Sequence, residues 1–102
     1  GADMSGIDLS GGSVNQADGT GADLNGANLV GAYVIGTDLT GASLTGANLY
    51  GSFFNDNNLT DANLGGAILT ASELTGDIWS NTICPDGTNS NNDGGTCVNN
   101  LN

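Results

Sequence analysis

Residues 22–51 read ADLNG ANLVG AYVIG TDLTG ASLTG ANLYG when the chain is divided into groups of five. In each group the first residue is small, the third is large and apolar, and the fifth is glycine. The same register runs without insertion from residue 2 to residue 76, which makes fifteen consecutive units. A period of five matches neither the 3.6 of an α-helix nor the 2 of a strand. The sequence therefore predicts a chain that turns a corner every five residues.

If each unit is one side of a square coil, four units close one turn and residues twenty apart stack. The third residue then points inward, the small first residue fills the corner, and glycine before the corner tolerates the tight backbone. Neighbouring coils pair like parallel strands, about 4.8 Å apart. The predicted inward columns are Met4/Leu24/Leu44/Leu64, Leu9/Leu29/Leu49/Leu69, Val14/Val34/Phe54/Leu74 and Gly19/Leu39/Leu59/Trp79.

Two positions depart from the simple pattern. Gly19 leaves a gap in the first coil, because it is the one third-position residue without a large side chain. The first-position residues Thr37, Asn57 and Asp77 stack at one corner, where alanine is the usual residue. We expect these three polar side chains to form a hydrogen-bonded ladder.

The A-(D/N)-L-x-x units over residues 2–76 resemble the pentapeptide-repeat family. The resemblance implies an all-β fold, a right-handed quadrilateral parallel β-helix (a solenoid) of about four coils. It divides the chain into a β-helix at residues 1–76 and an irregular C-terminal cap, closed by a disulfide, at residues 77–102. It implies little about function, because the family is functionally diverse.

The charge balance excludes several classes of function. The chain has eleven acidic residues and no lysine, arginine or histidine, for a formal charge of −11. Without cations it cannot bind nucleic acid by neutralising phosphates, and a Walker-type phosphate loop would lack its lysine. Without histidine the commonest general base is missing. No apolar run reaches the 18 residues of a membrane span. We expect no enzymatic activity, no small-molecule substrate and no cofactor.

The two cysteines, Cys84 and Cys97, have no histidine or further cysteine beside them to complete a zinc site. They are best interpreted as one disulfide formed in an oxidising compartment, although two free thiols in a cytosolic protein remain the alternative. The tail also resembles C-terminal segments of secreted or lumenal bacterial and cyanobacterial members of the family. The predicted location is secreted or extracellular, with the periplasm or thylakoid lumen as the alternative.

Two sets of acidic and amide side chains are candidate cation sites. The loop at residues 86–94 places oxygen side chains at alternating positions, loosely like a calcium loop, but it lacks the bidentate glutamate. Its alternative is a set of Asx-rich turns. The candidate calcium ligands are Asp86, Asn89, Asn91 and Asp93. On the outward face Asp3 stacks on Asp23 and Asp18 on Asp38, which is either a paired-carboxylate site or a solvated acidic face.

Most of the exposed aromatic residues should fall on one edge of the coil. Fourth-position residues of the second side and second-position residues of the third side flank one corner, and a patch of this kind marks a contact surface. The alternatives are a subunit interface and a surface covered by the folded-back tail. The candidate interface residues are Val30, Tyr33, Ile35, Tyr50, Phe53 and Ile68.

Three functions are compatible with these features. The tail is a candidate cap for one end of the coil. The first repeat starts at residue 2, so we expect the other end to be uncapped, and uncapped repeats expose strand edges. A secreted structural protein that self-assembles, by end-to-end stacking into a fibre and along the aromatic edge, is the first hypothesis. The second is a lumenal or periplasmic binding module with an unknown protein partner. The third is an acidic DNA mimic of the kind found in some members of the family.

Overall fold

The computed structural model describes residues 1–101. Its backbone forms parallel bridges between residues twenty apart, in four series that we call walls one to four. The bridges join the second residue of each five-residue unit to the second residue of the unit in the next coil. Wall one joins Asp3, Asp23, Ser43, Asn63 and Ile83; wall two Asp8, Asn28, Asn48 and Ile68; wall three Ser13, Tyr33, Phe53 and Glu73; and wall four Asp18, Asp38, Asn58 and Ile78.

Regular secondary structure is short because a corner follows every few residues. Strand β1 spans Tyr33–Ile35 and strand β2 spans Phe53–Asn55, both on wall three. They pair in parallel, with Tyr33 opposite Phe53 and Ile35 opposite Asn55. A 3-10 helix, Ser90–Asn92, lies in the tail. The rest of the coil is made of single bridges and turns.

Hydrogen bonds between consecutive coils satisfy the backbone of the walls. In wall one, the N–H of Leu24 donates to the carbonyl of Ser43 at 2.7 Å, and the N–H of Gly26 to the carbonyl of Thr45 at 2.9 Å. In the opposite direction along the coil axis, the N–H of Ser43 donates to the carbonyl of Ala22 at 2.9 Å. The same three bonds recur from coil to coil, so each wall behaves as a narrow parallel sheet.

The corners explain why the fifth residue is usually glycine. In the corner that follows Leu44, the N–H of Ala47 donates to the Leu44 carbonyl at 3.1 Å, and Gly46 between them has φ of +67°. A positive φ at the third residue of such a turn is the mark of a type II turn, and glycine adopts it without strain. Where the fifth residue is not glycine the φ is positive nonetheless, at Gln16, Asp56, Asp61, Ala71 and Asn81.

The corner between walls three and four is built differently. The N–H of Thr37 donates to Oδ1 of Asn57 at 3.0 Å, and the N–H of Asn57 donates to Oδ1 of Asp77 at 3.0 Å. At most of the other corners the first-position N–H donates to a carbonyl of its own turn, whereas here it donates to a side chain of the next coil. The predicted polar ladder of these three residues is present.

The core is the stack of third-position side chains, with alanines at the corners. Leu44, Leu49, Phe54, Leu59 and Leu64 are fully buried. The coil also continues beyond the last repeat unit of the sequence pattern. The N–H of Leu64 donates to the carbonyl of Ile83 at 2.8 Å, and the N–H of Gly66 to that of Pro85 at 2.9 Å. Trp79 and Cys84 consequently occupy inward sites, and both are buried.

No helix within residues 1–101 is both long and apolar enough to cross a membrane.

Truncation of a central core side chain tests the inward columns. Leu44→Ala removes buried methyl groups from the middle of the stack, and neighbouring coils can close the space only in part. We expect the free energy of unfolding to fall by about 2–5 kcal/mol. The control is Thr70→Ala, an exposed fourth-position residue, which should change it by no more than about 0.5 kcal/mol. Urea titration followed by Trp79 fluorescence measures both, and equal effects would contradict the assignment.

A pair of opposite substitutions tests the corners. Ala71 holds a φ of +60°, so Ala71→Gly should stabilise the protein by about 1 kcal/mol. Gly46 holds a φ of +67° and an added Cβ would meet no atom within 4 Å. Gly46→Ala should therefore destabilise the protein by a similar amount, through backbone strain alone. Urea titrations of both variants should move in opposite directions; two shifts of the same sign would disprove the explanation.

Candidate functional site

The candidate site is the aromatic edge, which we define as Val30, Tyr33, Ile35, Tyr50, Phe53 and Ile68. At its centre the rings of Tyr33 and Phe53 stack with their centroids 4.6 Å apart and their planes 5° from parallel. The register of β1 and β2 sets this contact, because it pairs Tyr33 directly with Phe53. An aromatic pair of this kind adds rigidity as well as apolar area.

The other half of the aromatic edge lies before the corner, at the fourth positions of wall two. Val30 and Tyr50 are in consecutive coils, and the N–H of Gly31 donates to the carbonyl of Tyr50 at 3.0 Å. Their own N–H groups donate to Oδ1 of Asn28 and Asn48, each at 3.1 Å. The second-position amides thereby fix the backbone from which these side chains project.

The aromatic edge is exposed in the single chain. Tyr33 is 44%, Tyr50 53% and Ile68 41% accessible, while Val30, Ile35 and Phe53 are partly buried. Ile68 stands in wall two where the two preceding coils have asparagine, so an apolar side chain replaces a polar one at the surface. The tail does not cover Tyr33 or Tyr50, since both keep about half of their surface in solvent.

Two exposed apolar residues lie outside the predicted patch. Ile78 is 54% and Val98 46% accessible. Ile78 is the fourth member of wall four, after Asp18, Asp38 and Asn58. Extending the second-position series past residue 76 would have found it, whereas Val98 is in the aperiodic tail and gives no signal of this kind.

The outward carboxylates cap the backbone of their own unit. Oδ1 of Asp38 accepts from the N–H of Thr40 at 3.0 Å and from its hydroxyl at 2.6 Å. The hydroxyl and then the N–H of Thr40 lower the pKa of Asp38, and their effect outweighs desolvation and the charge of Asp18 in the preceding coil. Oδ1 of Asp18 accepts from the N–H of Thr20 at 3.1 Å, and the hydroxyl and then the N–H of Thr20 lower the pKa of Asp18. These hydrogen bonds favour the interpretation of the stacked acids as an ionised, solvated face.

Cys84 and Cys97 form a disulfide with an Sγ–Sγ distance of 2.07 Å, which confirms the predicted pairing. Both residues are fully buried. Cys84 is the inward residue that follows Leu64 in the wall-one column, so the disulfide closes the core at this end of the coil.

The tail also pairs with the last turn of wall one. The N–H of Cys84 donates to the carbonyl of Thr88 at 2.7 Å, and the N–H of Ser90 to the carbonyl of Thr82 at 2.8 Å. Ile83 and Asn89 form an antiparallel bridge. These bonds occupy backbone N–H and carbonyl groups that would otherwise be free to pair with a further coil, and so they protect the strand edge of wall one.

The structure brings together two of the four candidate calcium ligands. The hydroxyl oxygen of Thr88 lies 2.6 Å from Oδ1 of Asp86 and 2.5 Å from Oδ2 of Asp93. Hydrogen bonds lower the pKa of Asp86. The bond from the Thr88 hydroxyl has the largest effect, and the bond from the side-chain amide of Asn100 the next largest. Cys84 is also near these carboxylates, but its sulfur is in the disulfide and is not a thiolate ligand.

The other two candidates, Asn89 and Asn91, turn toward Asn81. Nδ2 of Asn89 donates to Oδ1 of Asn81 at 2.8 Å, and the N–H of Asn81 donates to Oδ1 of Asn91 at 3.0 Å. Oδ1 of Asn89 caps the 3-10 helix by accepting from the N–H of Asn91 at 2.9 Å. Their oxygens therefore have structural partners, and calcium binding stays a prediction.

A cavity of about 190 Å³ lies at the first coil, lined mainly by apolar residues that include Met4, Leu9 and Val14. It follows from the predicted gap at Gly19. A Cβ at Gly19 would lie 2.8 Å from Cδ2 of Leu39, so the leucine of the next coil leans into part of the missing volume.

Five-residue sides, inward third positions and parallel bridges at a spacing of twenty define a β-helix built from short repeats. The profile of the family described as pentapeptide repeats matches in eight copies, over residues 2–41 and 37–76. The chain belongs to the pentapeptide-repeat family, and its fold is the right-handed β-helix of that family. Members of this family are generally structural or binding modules and not enzymes.

Solved structures of the same family resemble this chain. HetL, a pentapeptide repeat protein involved in heterocyst differentiation regulation in the cyanobacterium Nostoc sp. strain PCC 7120, is 34% identical with a TM-score of 0.52; the match covers 84% of this chain and 42% of HetL. A protein of the Arabidopsis thaliana thylakoid lumen is 33% identical with a TM-score of 0.34, over 79% of this chain and 63% of its own. The chain thus spans less than half the length of HetL. No match was found among curated protein sequences.

The disulfide can be tested by reduction. Native protein should contain no thiol that reacts with iodoacetamide, and two after reduction, because both cysteines are paired. Cys84→Ser combined with Cys97→Ser should lower the free energy of unfolding by about 3 kcal/mol, the value for a closed loop of this length. Intact mass and urea titration measure the two effects. Two reactive thiols in native, unreduced protein would contradict the pairing.

Proposed function

We propose that this pentapeptide-repeat protein is a non-enzymatic structural protein that associates with copies of itself through the aromatic edge. The observation that carries the proposal is the exposed stack of Tyr33 on Phe53 beside Tyr50. Burial of a rigid, exposed aromatic surface against a partner is favourable, because it removes apolar area from water and costs little side-chain entropy.

The proposal includes the finer geometry of the fold, a quadrilateral cross-section with about four coils. Four series of bridges, and buried third-position residues on all four walls, support it. A flat-sided coil of this kind would present the aromatic edge as a straight ridge, since Tyr33 and Phe53 belong to consecutive coils of one wall.

Electrostatics restrict how copies can meet. The chain carries a formal charge of −11 and no cationic side chain, so no interface between copies can contain a salt bridge to Lys, Arg or His. The six residues of the aromatic edge are uncharged, and Glu73, which follows Phe53 on wall three, borders them. The contact is therefore apolar, and association should grow stronger with salt, as the screening length shortens from about 30 Å at 0.01 M to about 10 Å at 0.1 M.

End-to-end stacking into a fibre is the route that the sequence analysis puts first. It would use the apolar interior of the first coil, where Met4, Leu9 and Val14 are only partly buried. At the opposite end, the antiparallel pairing of Ile83 with Asn89 occupies the edge of wall one. A neighbour stacked there would have to pair with the remaining walls, so lateral contact is the better supported route.

The proposed location is secreted or extracytoplasmic. The support is the buried Cys84–Cys97 disulfide, since disulfides persist in oxidising compartments and are rare in the cytosol.

A binding module with a different protein partner is the alternative function. It would use the same aromatic edge, so the two functions differ only in whether the surface recognises itself. Sedimentation of the purified protein over a range of concentrations separates them.

Charge placed on the aromatic edge tests the proposal. Tyr33→Asp combined with Phe53→Asp puts two carboxylates at the centre of the contact and should convert associated species to monomers in about 0.15 M salt. The wild type should show larger species whose fraction rises with concentration and salt. Sedimentation velocity measures both.

The matched control is Ser43→Asp combined with Asn63→Asp, which adds the same charge at the same repeat position on wall one. It should leave association unchanged. A wild type that stays monomeric at all salt and protein concentrations would reject self-association, and equal loss in both variants would reject the aromatic edge as the contact.

A further inference from the structure

Polar side chains in this coil cap a carbonyl twenty-three residues earlier. At the corner between walls three and four, the hydroxyl of Thr37 donates to the carbonyl of Val14 at 2.5 Å, and Nδ2 of Asn57 donates to the carbonyl of Val34 at 2.9 Å. The hydroxyl of Thr82 does the same to the carbonyl of Leu59 at 2.7 Å on another wall. The pattern follows from the coil geometry, which sets a first-position side chain over a third-position carbonyl of the previous coil.

Asp77 is the next member of the Thr37 and Asn57 column. Its Oδ1 accepts the N–H of Asn57 at 3.0 Å, as Oδ1 of Asn57 accepts the N–H of Thr37. Its other oxygen, Oδ2, is buried and has no hydrogen-bond partner among the described residues. The carbonyl twenty-three residues earlier is that of Phe54. An ionised carboxylate has no proton to donate to it, whereas a neutral carboxylic acid has one.

The surroundings of Asp77 disfavour its charge. Burial is the main cause that raises the pKa of Asp77 to about 7; the N–H and side chain of Asn57 oppose this, and the charge of Asp56 adds to it. The carboxylate of Asp56 lies against Gly76, the residue before Asp77, since a Cβ built on Gly76 would touch it. The sequence has no lysine, arginine or histidine to offset the charge.

We propose that Asp77 is held as a neutral carboxylic acid whose Oδ2–H donates to the carbonyl of Phe54, and that its ionisation opens this corner of the last coil. The Oδ2 proton of Asp77 has the role that the Nδ2 hydrogens of Asn57 have one coil earlier, where they donate to the carbonyl of Val34. When it leaves, two oxygens with lone pairs face each other in a buried site, which is unfavourable. The corner lies two residues before Trp79, so ionisation loosens the end of the core at which the disulfide sits.

The direction of the pH dependence follows from the pKa. The folded-state value lies above the ordinary 3.8 of an aspartate, so the folded chain binds this proton more tightly than the unfolded chain does. The stability that Asp77 contributes is complete below about pH 3.8 and falls as the pH rises toward about 7. Above that pH both states are ionised and the contribution no longer changes.

Asp77→Asn is the decisive variant, because asparagine keeps the Oδ1 acceptor and supplies a permanent donor, as Asn57 does. Thermal unfolding followed by Trp79 fluorescence is measured for both proteins between about pH 4 and pH 8. We expect the melting temperature of Asp77→Asn to exceed that of the wild type by an amount that widens with pH and levels off near pH 7. The other carboxylates are common to both proteins and cancel in the difference.

A direct titration makes the test independent of folding energetics. In wild-type protein with ¹³C-labelled aspartate, the Cγ resonance of Asp77 should titrate near pH 7, far above that of Asp38. Asp56→Asn is the control: it removes the neighbouring charge and should lower the midpoint of Asp77 without abolishing it. A midpoint near 4, or a difference between the melting temperatures that does not depend on pH, would overturn the proposal.

Discussion

The whole coil depends on one backbone constraint, a residue with positive φ at the end of each five-residue side. At Gly46 and its equivalents that residue is glycine, but Ala71 and Asp61 adopt the same conformation. The chain accepts the strain there because hydrogen bonds to neighbouring coils hold the corner: at Asp61 they run to the coils on both sides, and at Ala71 the carbonyl of Thr70 accepts from Gly51 of the preceding coil. The backbone preference of the corner residue and the hydrogen bonds between coils therefore act separately. Glycine adopts the positive φ without strain at most corners, and the inter-coil bonds hold the other corners in the same conformation.

The core follows from that corner. With the third residue always aimed inward, a single large side chain per side fills the coil, and this is enough because the next coil lies about 4.8 Å away. Gly19 leaves a cavity that Leu39 only partly fills, and Trp79 supplies the largest volume near the other end. The surface follows the same logic, since second-position Asp and Asn side chains act first as caps for the backbone, as Asp38 does for Thr40.

Much of this could be predicted from the sequence, because a strict period converts position in the chain directly into position in space. The inward columns, the ladder of Thr37, Asn57 and Asp77, and the meeting of Tyr33 with Phe53 all follow from a spacing of twenty. The tail could not be predicted in this way. Beyond residue 85 no period relates the chain to the coil, so the engagement of Asn89 and Asn91 with Asn81 depends on three-dimensional contacts. The exposure of Ile78 was missed for a different reason: the unit from residue 77 keeps the coil register while its residues depart from the repeat.

Because residues twenty apart pair, the effect of an insertion on the coil depends on its length. Twenty added residues between β1 and β2 would insert one more coil and leave every wall intact. Five added residues would also keep each side in shape, with leucine inside and glycine at the corner, yet they would turn everything after the insertion by one wall. Phe53 would then no longer lie above Tyr33, and the rings that stack across 4.6 Å would face different directions. A chain of this kind can thus change its length in small steps and stay folded, while its surface pattern survives only changes by whole turns.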